Sequence, residues 1–235
     1  MDLQGKLSQT YINTLVDTIV DKMVDEQPVN PLITPTQEKA RKKAELKELL
    51  KLDQFKAKLD HGSSIILSKL RIDLEPKDYG AVQENLKEAL INSKKDNLKI
   101  DENSVMQEVL GISDETMKHY YHIGFKLFEE KNFENASAVF LFIASLNPFI
   151  YDYWNAYATS EMYLKHWEIA IKTYELLVEL DPEKSQPHLL CAQCHLFLKD
   201  KINASAEIEK ARDLLSNTEA DQISLLKHLE EQLAS

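Results

Sequence analysis

A pattern of small, aromatic and proline residues occurs three times at a fixed spacing between Met117 and Ser216. Pro148 ends a segment that reads SLNP, and Pro182 ends a later segment that reads ELDP. The spacing of these two prolines equals the period of the tetratricopeptide repeat, which is about 34 residues and in which each copy is a pair of helices. The third copy is weaker, because it ends without a proline. The three predicted repeats are 117–150, 151–184 and 185–216.

Small residues recur at the positions where the two helices of such a repeat must approach each other. They are Gly124, Ala158 and Ala192 in the first helices and Ala136, Ala170 and Ala204 in the second helices. The aromatic residues Phe140 and Tyr174 fill the space between one repeat and the next, and proline ends the second helix because it has no amide proton to donate. Hairpins of this kind stack into a superhelix whose concave face is lined by the first helices. The sequence therefore predicts an all-α fold of three tetratricopeptide hairpins.

The residues beyond the third repeat predict a helix that covers it. Residues 217–233 place Ile223, Leu226, Leu229 and Leu233 on one helical face. A terminal helix of this kind shields the last hairpin of a repeat array from water. We therefore expect residues 101–235 to form one repeat domain that folds without residues 1–100.

The first hundred residues read as a mostly helical extension. Residues 7–24 carry apolar side chains at every fourth position, which predicts an amphipathic helix. Residues 27–35 contain three prolines and predict an extended linker. Thr36 can cap the next helix, which we expect to run to Leu59.

The part of the extension after Leu59 gives weaker signals. The segment HGSS at 61–64 predicts a break in the preceding helix, and EPKDYG at 75–80 predicts a turn. Residues 81–92 predict a short helix, and the polar loop that follows it marks the boundary of the repeat domain. A further short helix at 104–110 is expected to end at the glycine that follows it.

Charge and hydropathy exclude two classes of partner. The net charge of the chain is −11, and residues 113–235 hold 11 basic and 20 acidic side chains, which gives this region −9. An acidic repeat region argues against a nucleic-acid partner. No apolar run reaches the length of a bilayer, and the first residues lack the pattern of a signal peptide. We therefore expect no membrane insertion and a location in the cytoplasm.

Cysteine and histidine side chains offer three candidate cofactor sites, and the sequence argues against each of them. The segment CAQCH at 191–195 matches the C-x-x-C-H signal for haem attachment, but attachment requires export and Cys191 falls on a packing position of the repeat. A zinc site with His188 would need a second pair of ligands, which is not nearby. His119 and His122 are one turn apart without a third ligand. Phosphate-binding loops and nucleophile motifs are absent, so we expect no cofactor, no metal and no enzymatic activity.

The segment 104–140 carries the features of a known family. The residues ISDET open the first repeat, and the repeat continues with a set of aromatic and small residues at fixed positions. These are Tyr121, Gly124, Phe125, Phe128, Phe133, Glu134 and Ala136. The pattern resembles that of the class II chaperones of type III secretion, the SycD/LcrH group. The resemblance covers residues 103–220, and residues 1–100 have no counterpart in the compact members.

The resemblance implies a bacterial cytoplasmic chaperone that binds hydrophobic translocator proteins and keeps them soluble and ready for export. The client would lie as an extended segment in the concave groove. The compact members also pair through the helix before the first repeat, which implies a possible homodimer through 104–110. The residues that correspond to the groove are Tyr121, Phe125, Phe128, Asn155, Thr159, Met162, Tyr163, Leu189, Gln193 and Leu196.

Two alternatives stay open from the sequence. We call Tyr121, Phe125 and Phe128 the aromatic strip. The strip either binds a client or is covered by the extension or by a second subunit. The second alternative stays open because an aromatic stripe at helical spacing often belongs to a core. The repeats either hold a client until export or form a scaffold in a permanent complex.

Overall fold

Helices account for all the regular structure in the part of the chain that the structure describes. This computed structural model describes residues 52–93, 105–216 and 219–234, together with Thr36. The predicted all-α class is therefore confirmed for these residues. The amphipathic segment 7–24, the linker 27–35 and most of the helix predicted from Thr36 lie outside the described residues.

The chain divides into two compact units, Met1–Tyr153 and Trp154–Ser235. The division falls within the sixth described helix. Of the other described helices, five lie wholly in the first unit and four lie wholly in the second. In chain order the described helices are α1 Leu52–Asp73, α2 Pro76–Ser93, α3 Met106–Leu110, α4 Asp114–Glu129, α5 Phe133–Leu146, α6 Tyr151–Tyr163, α7 Trp167–Leu180, α8 Gln186–Phe197, α9 Lys201–Leu214 and α10 Ala220–Ala234.

Three helical pairs occupy the predicted repeats, namely α4 with α5, α6 with α7 and α8 with α9. The first pair begins at Asp114 because the Ser113 hydroxyl caps α4 by accepting a hydrogen bond from the amide of Thr116 at 3.2 Å. Helices α5 and α7 end two residues before the predicted prolines, at Leu146 and Leu180. The predicted fold of tetratricopeptide-like hairpins is confirmed, and the bounds 117–150, 151–184 and 185–216 stay a prediction.

The turn inside each helical pair has the same backbone conformation. Lys131, Lys165 and Lys199 have φ angles of 60°, 63° and 62°, and they lie one repeat period apart. A left-handed backbone costs a lysine about 1–2 kcal/mol. The packing of the flanking helices therefore imposes this turn, and the repeat period is visible at a position outside the sequence consensus.

Small residues bring the two helices of a repeat together, as predicted. Ala136, Ala158, Ala170, Ala192 and Ala204 are fully buried. In the first repeat, a Cβ atom added to Gly124 would lie 2.7 Å from the ring of Phe140. This distance is too short for a side chain, so the approach of α4 to α5 requires glycine at this position.

Helix α1 contradicts the predicted break at HGSS. It runs through 61–64 to Asp73, so the predicted end at Leu59 is wrong. Gly62 lies where α1 crosses α5, and a Cβ atom there would be 2.1 Å from the carbonyl oxygen of Ala138. This glycine therefore serves close helix packing and does not end a helix.

Helix α1 shares a core with the first repeat. Leu59, Ile66 and Leu70 are at most 2% exposed, and the Nε2 atom of His61 donates a hydrogen bond to the side-chain oxygen of Asn135 at 2.8 Å. Contacts between α1 and α5 are extensive. Part of the extension is therefore integral to the first unit.

Helix α2 contradicts the predicted turn at EPKDYG. The helix begins at Pro76, where the fixed φ of proline suits a first helical position. The helix predicted at 81–92 is present, but it begins earlier, at Pro76, and ends at Ser93. Asn85 and Asn92 of α2 donate hydrogen bonds to the carbonyl oxygens of Gly111 and Leu110 at 2.7 and 2.9 Å, which holds α3 against α2.

The second unit has its own core, to which α10 contributes. This core consists of Leu189, Ala192, Ile208, Ala211, Leu226 and Leu229. Leu226 and Leu229 belong to α10 and lie against α8 and α9. The predicted capping helix is therefore confirmed, at Ala220–Ala234.

The boundary near residue 100 stays a prediction, which a fragment of residues 103–235 tests. We expect this fragment to keep its helical circular dichroism, since contacts between neighbouring hairpins are local. Its free energy of unfolding in urea should be lower than that of the full chain, because Ile66 and Leu70 no longer cover α5. Loss of the helical signal would contradict the boundary, and equal stability would contradict a role for α1.

Two glycine substitutions test the crossing of α1 and α5. We expect Gly62→Ala to destabilise the protein by about 1–3 kcal/mol, since the added methyl group overpacks the contact with Ala138. Gly80→Ala in α2 is the matched control: a Cβ atom at Gly80 meets nothing within 4 Å, so this change should stabilise the protein by about 0.5–1 kcal/mol. Urea unfolding of both variants is the measurement, and a neutral Gly62→Ala would exclude the close crossing.

Candidate functional site

Helix α4 has a buried face and a partly exposed face. Tyr120, Ile123 and Leu127 are at most 2% exposed and form the buried face. The aromatic strip occupies other positions of the helix, with spacings of four and three residues that place its members side by side. The strip is therefore not part of the α4 side that fills the hairpin core.

Two members of the aromatic strip are supported by other rings of the first unit. The ring of Tyr121 lies 5.5 Å from that of Phe140 and 5.8 Å from that of Tyr153, between centroids. Burial, followed by the charge of Asp152, raises the pKa of the Tyr121 phenol, so this hydroxyl keeps its proton at neutral pH and can donate a hydrogen bond. Phe128 packs edge-on against Phe133, at 5.1 Å.

Phe125 is the accessible member of the strip. Its side chain is 45% exposed, whereas Tyr121 and Phe128 are half-buried. An exposed phenylalanine between two supported rings offers apolar area that a ligand can cover without rearrangement of the core. Helices α1 and α2 therefore leave Phe125 exposed, and coverage by the rest of the extension or by a second subunit stays an open alternative.

Polar side chains line a depression next to Phe125 and Tyr121. They are Lys118, His119 and His122. Lys118 pairs with Glu115 of the same helix at 3.2 Å, and both side chains are exposed. The sequence suggested the two histidines only as metal ligands, but the structure places them beside the aromatic strip. All three polar groups can donate hydrogen bonds to the carbonyl or carboxylate oxygens of a peptide.

An ion pair connects the strip-bearing helix to the extension. The Nζ atom of Lys126 donates to Asp73, the last residue of α1, at 2.5 Å. The Asp73 side chain is only 8% exposed, and its hydrogen bond is the main reason that the pKa of Lys126 is raised. This bond holds α4 against the end of α1 at Lys126, the residue that follows Phe125.

The predicted groove residues of α6 have different surroundings. The hydroxyl of Thr159 lies 3.1 Å from that of Tyr174 on α7, so it is engaged within its own repeat. The Asn155 side-chain oxygen is buried and has no hydrogen-bond partner among the described residues. Met162 is half-buried, and Tyr163 is 54% exposed.

The predicted groove residues of α8 include one that belongs to the core. Leu189 is fully buried in the cluster that α10 completes, so the prediction that it contacts a ligand is wrong for this structure. The cause is that α8 must supply apolar contacts to α9 and α10 at once. Gln193 and Leu196 line a depression together with Phe197.

An aromatic stack beside this depression escaped the sequence prediction. The rings of Trp167 and Phe197 are 4.4 Å apart and inclined by 13°. Trp167 occupies the same position in its repeat as Phe133 does in the preceding one. This repeat periodicity of aromatic residues is the sequence signal that could have indicated a ring contact at Trp167.

The cysteines and His188 do not form a metal site. Cys191 and Cys194 are free thiols, at most 1% exposed, and burial raises the pKa of Cys191 and raises that of Cys194 to about 12. The Nδ1 atom of His188 donates to Glu207 at 2.6 Å. In the described part of the chain, no three side chains of histidine, cysteine, aspartate or glutamate are grouped to hold a metal ion. None of the described helices combines the length and apolar character needed to cross a bilayer.

The helix predicted as a dimer surface is largely engaged within the first unit. Met106 and Leu110 of α3 are buried, and α2 holds the end of this helix through its two asparagines. Val105 and Val109 are half-buried. A homodimer through 104–110 stays a prediction, and among the described residues of this segment Val105, Val109 and the exposed Glu108 offer side-chain area for it.

Several solved structures are similar in fold to this chain. A chain of the CopN–Scc3 complex matches 64% of this chain and 96% of its own length, with a TM-score of 0.54 and 18% identity. PcrH from Pseudomonas aeruginosa matches 53% of this chain and 96% of its own length, with a TM-score of 0.50 and 20% identity. The translocator chaperone SycD from Yersinia enterocolitica matches 56% of this chain and 98% of its own length, with a TM-score of 0.51 and 17% identity.

The chain has the fold of these proteins. The fold implied by the resemblance to the SycD/LcrH group is therefore confirmed. No protein-family model matches the sequence, and no curated protein matches it.

The reactivity of the two thiols tests the packing role of the cysteines. We expect both to react very slowly with a disulfide reagent such as DTNB in the native protein, since they are buried and their raised pKa values leave little thiolate. Both should react at once in denaturant. Rapid reaction of either thiol in the native protein would contradict a packing role and reopen a redox or metal function.

Proposed function

We propose that this protein is a chaperone of type III secretion that binds hydrophobic translocator proteins in the bacterial cytoplasm and keeps them soluble until export. The observation that carries the proposal is the exposed Phe125 between Tyr121 and Phe128, on the first helix of a tetratricopeptide repeat. SycD, whose fold this chain shares, is a translocator chaperone of type III secretion.

The chemistry of the strip fits an apolar segment of a client. Phe125 offers exposed ring area, and the rings packed against Tyr121 and Phe128 hold these two side chains in place. A preorganised aromatic surface loses little conformational entropy on binding, so more of the contact energy appears as affinity. A translocator segment with spaced apolar side chains would cover this surface.

Hydrogen bonding at the strip favours an extended client. An extended peptide leaves backbone carbonyl and amide groups unpaired. The Tyr121 hydroxyl and the side chains of Lys118, His119 and His122 supply donors beside the strip. In the second unit, the exposed Tyr163 and the half-buried Asn155, Met162, Gln193 and Leu196 are further proposed contacts.

A binding titration of Phe125→Ala tests the proposal. The probe is a synthetic extended peptide with spaced prolines and leucines. Loss of an aromatic anchor typically costs about 2 kcal/mol of binding free energy, which is about a thirtyfold loss of affinity. The fold should be preserved, because Phe125 is 45% exposed, and a melting curve verifies this.

The matched control is Ile91→Ala in α2, which truncates an apolar side chain that is 64% exposed and lies on another helix. Lys126→Ala is unsuitable as a control because it removes the ion pair with Asp73. We expect Ile91→Ala to bind the peptide as the unmodified protein does. Equal affinities for Phe125→Ala and the unmodified protein would exclude the strip as the client site and favour a scaffold in a permanent complex.

A further inference from the structure

The turn between α8 and α9 exposes several large apolar side chains within six residues. Phe197, Leu198 and Ile202 are 55%, 38% and 84% exposed. Single exposed apolar residues are common on protein surfaces, but several together mark an interaction site. We call these three residues and Trp167 the turn patch.

The aromatic part of the turn patch is rigid. Trp167 begins α7 and Phe197 ends α8, and their rings are stacked at 4.4 Å and 13°. Neither ring is buried. Next to the stack, Gln193, Leu196 and Gln232 line the depression that also contacts Phe197. Together they form a flat aromatic surface beside a recess for an apolar side chain.

The charged side chains that line the depression beside the turn patch are basic, whereas the second unit as a whole is acidic. Residues 154–235 hold 8 basic and 14 acidic side chains, which gives them −6. Lys199 and Lys201 line the depression, and among the described residues Lys199 makes no ion pair. Lys201 donates to the carbonyl oxygen of Leu233 at 3.2 Å, which shows that its amine reaches a backbone oxygen at this place.

The acidic residue of the turn is directed to its own helix. Asp200 accepts hydrogen bonds from the amide and the side chain of Asn203, at 3.2 and 2.6 Å. These bonds lower the pKa of Asp200 and cap α9. Its ionised carboxylate is held at the start of α9, and the charged side chains that line the depression itself are those of Lys199 and Lys201.

We propose that the turn patch binds a segment of a partner protein in which a large apolar side chain stands next to carboxylates. The apolar side chain covers the Trp167 and Phe197 rings and enters the recess, and the carboxylates pair with Lys199 and Lys201. Contact with a carboxylate favours acidic over basic segments. The turn patch shares no residue with the aromatic strip, although Gln193 and Leu196, which line its recess, are also proposed contacts of the client.

A pair of peptides and the indole signal of Trp167 test this proposal in the full-length protein. One probe is a short peptide of alternating leucine and aspartate, and the other has lysine in place of aspartate. Binding is followed in the NMR spectrum of the two tryptophan indoles, with Trp167→Phe assigning the signal. We expect the acidic peptide to shift the Trp167 signal and to bind at least tenfold more tightly than the basic one.

Ile202→Ser is the variant of the turn patch, and Ile72→Ser is its matched control, since both side chains are at least 75% exposed and neither supports the core. We expect Ile202→Ser to weaken the acidic peptide about tenfold and Ile72→Ser to leave binding unchanged. Phe125→Ala should also leave it unchanged. Equal binding of the two peptides, an unaffected Ile202→Ser, or loss of binding in Phe125→Ala would each overturn the proposal.

Discussion

The close approach of two helices, made possible by the absence of a side chain at Gly124, organises the first repeat. The ring of Phe140 fills the space that a side chain at Gly124 would need. With Tyr120, Ile123 and Leu127 filling the buried face of α4, the remaining aromatic residues must lie elsewhere on the helix. The position of the aromatic strip is therefore a consequence of how the core is filled. One face of α4 stabilises the hairpin, and the other carries the proposed binding surface.

The repeat region was predictable because its determinants are local. Proline and small residues recur once in each repeat period, and each acts within its own hairpin. The extension was less predictable because the role of Gly62 depends on Ala138, which is far away in the sequence. A glycine in HGSS has the same local signature whether it ends a helix or lets another helix approach. Only the tertiary contact distinguishes the two, and it favours the uninterrupted helix.

The candidate site was likewise predictable where local spacing determines it and not where tertiary contacts do. Helical spacing placed Tyr121, Phe125 and Phe128 together, and the structure confirms that Phe125 is accessible. Leu189 was misassigned because α8 packs against two further helices, which the repeat consensus does not encode. The stack of Trp167 on Phe197 joins one repeat to the next, so neither residue revealed it alone. Prediction from the sequence therefore succeeded for contacts within a hairpin and failed where a helix packs against elements outside its own hairpin.

The docking of α1 on the first repeat has a consequence for the order of folding. Hairpin contacts join residues that are close in sequence, which allows them to form early. The bond between His61 and Asn135 closes a separation of 74 residues, and that between Lys126 and Asp73 closes 53. During synthesis α1 leaves the ribosome before its binding surface exists. These separations favour docking of α1 after the first repeat has formed, and an undocked α1 exposes its apolar side chains to water and to other proteins.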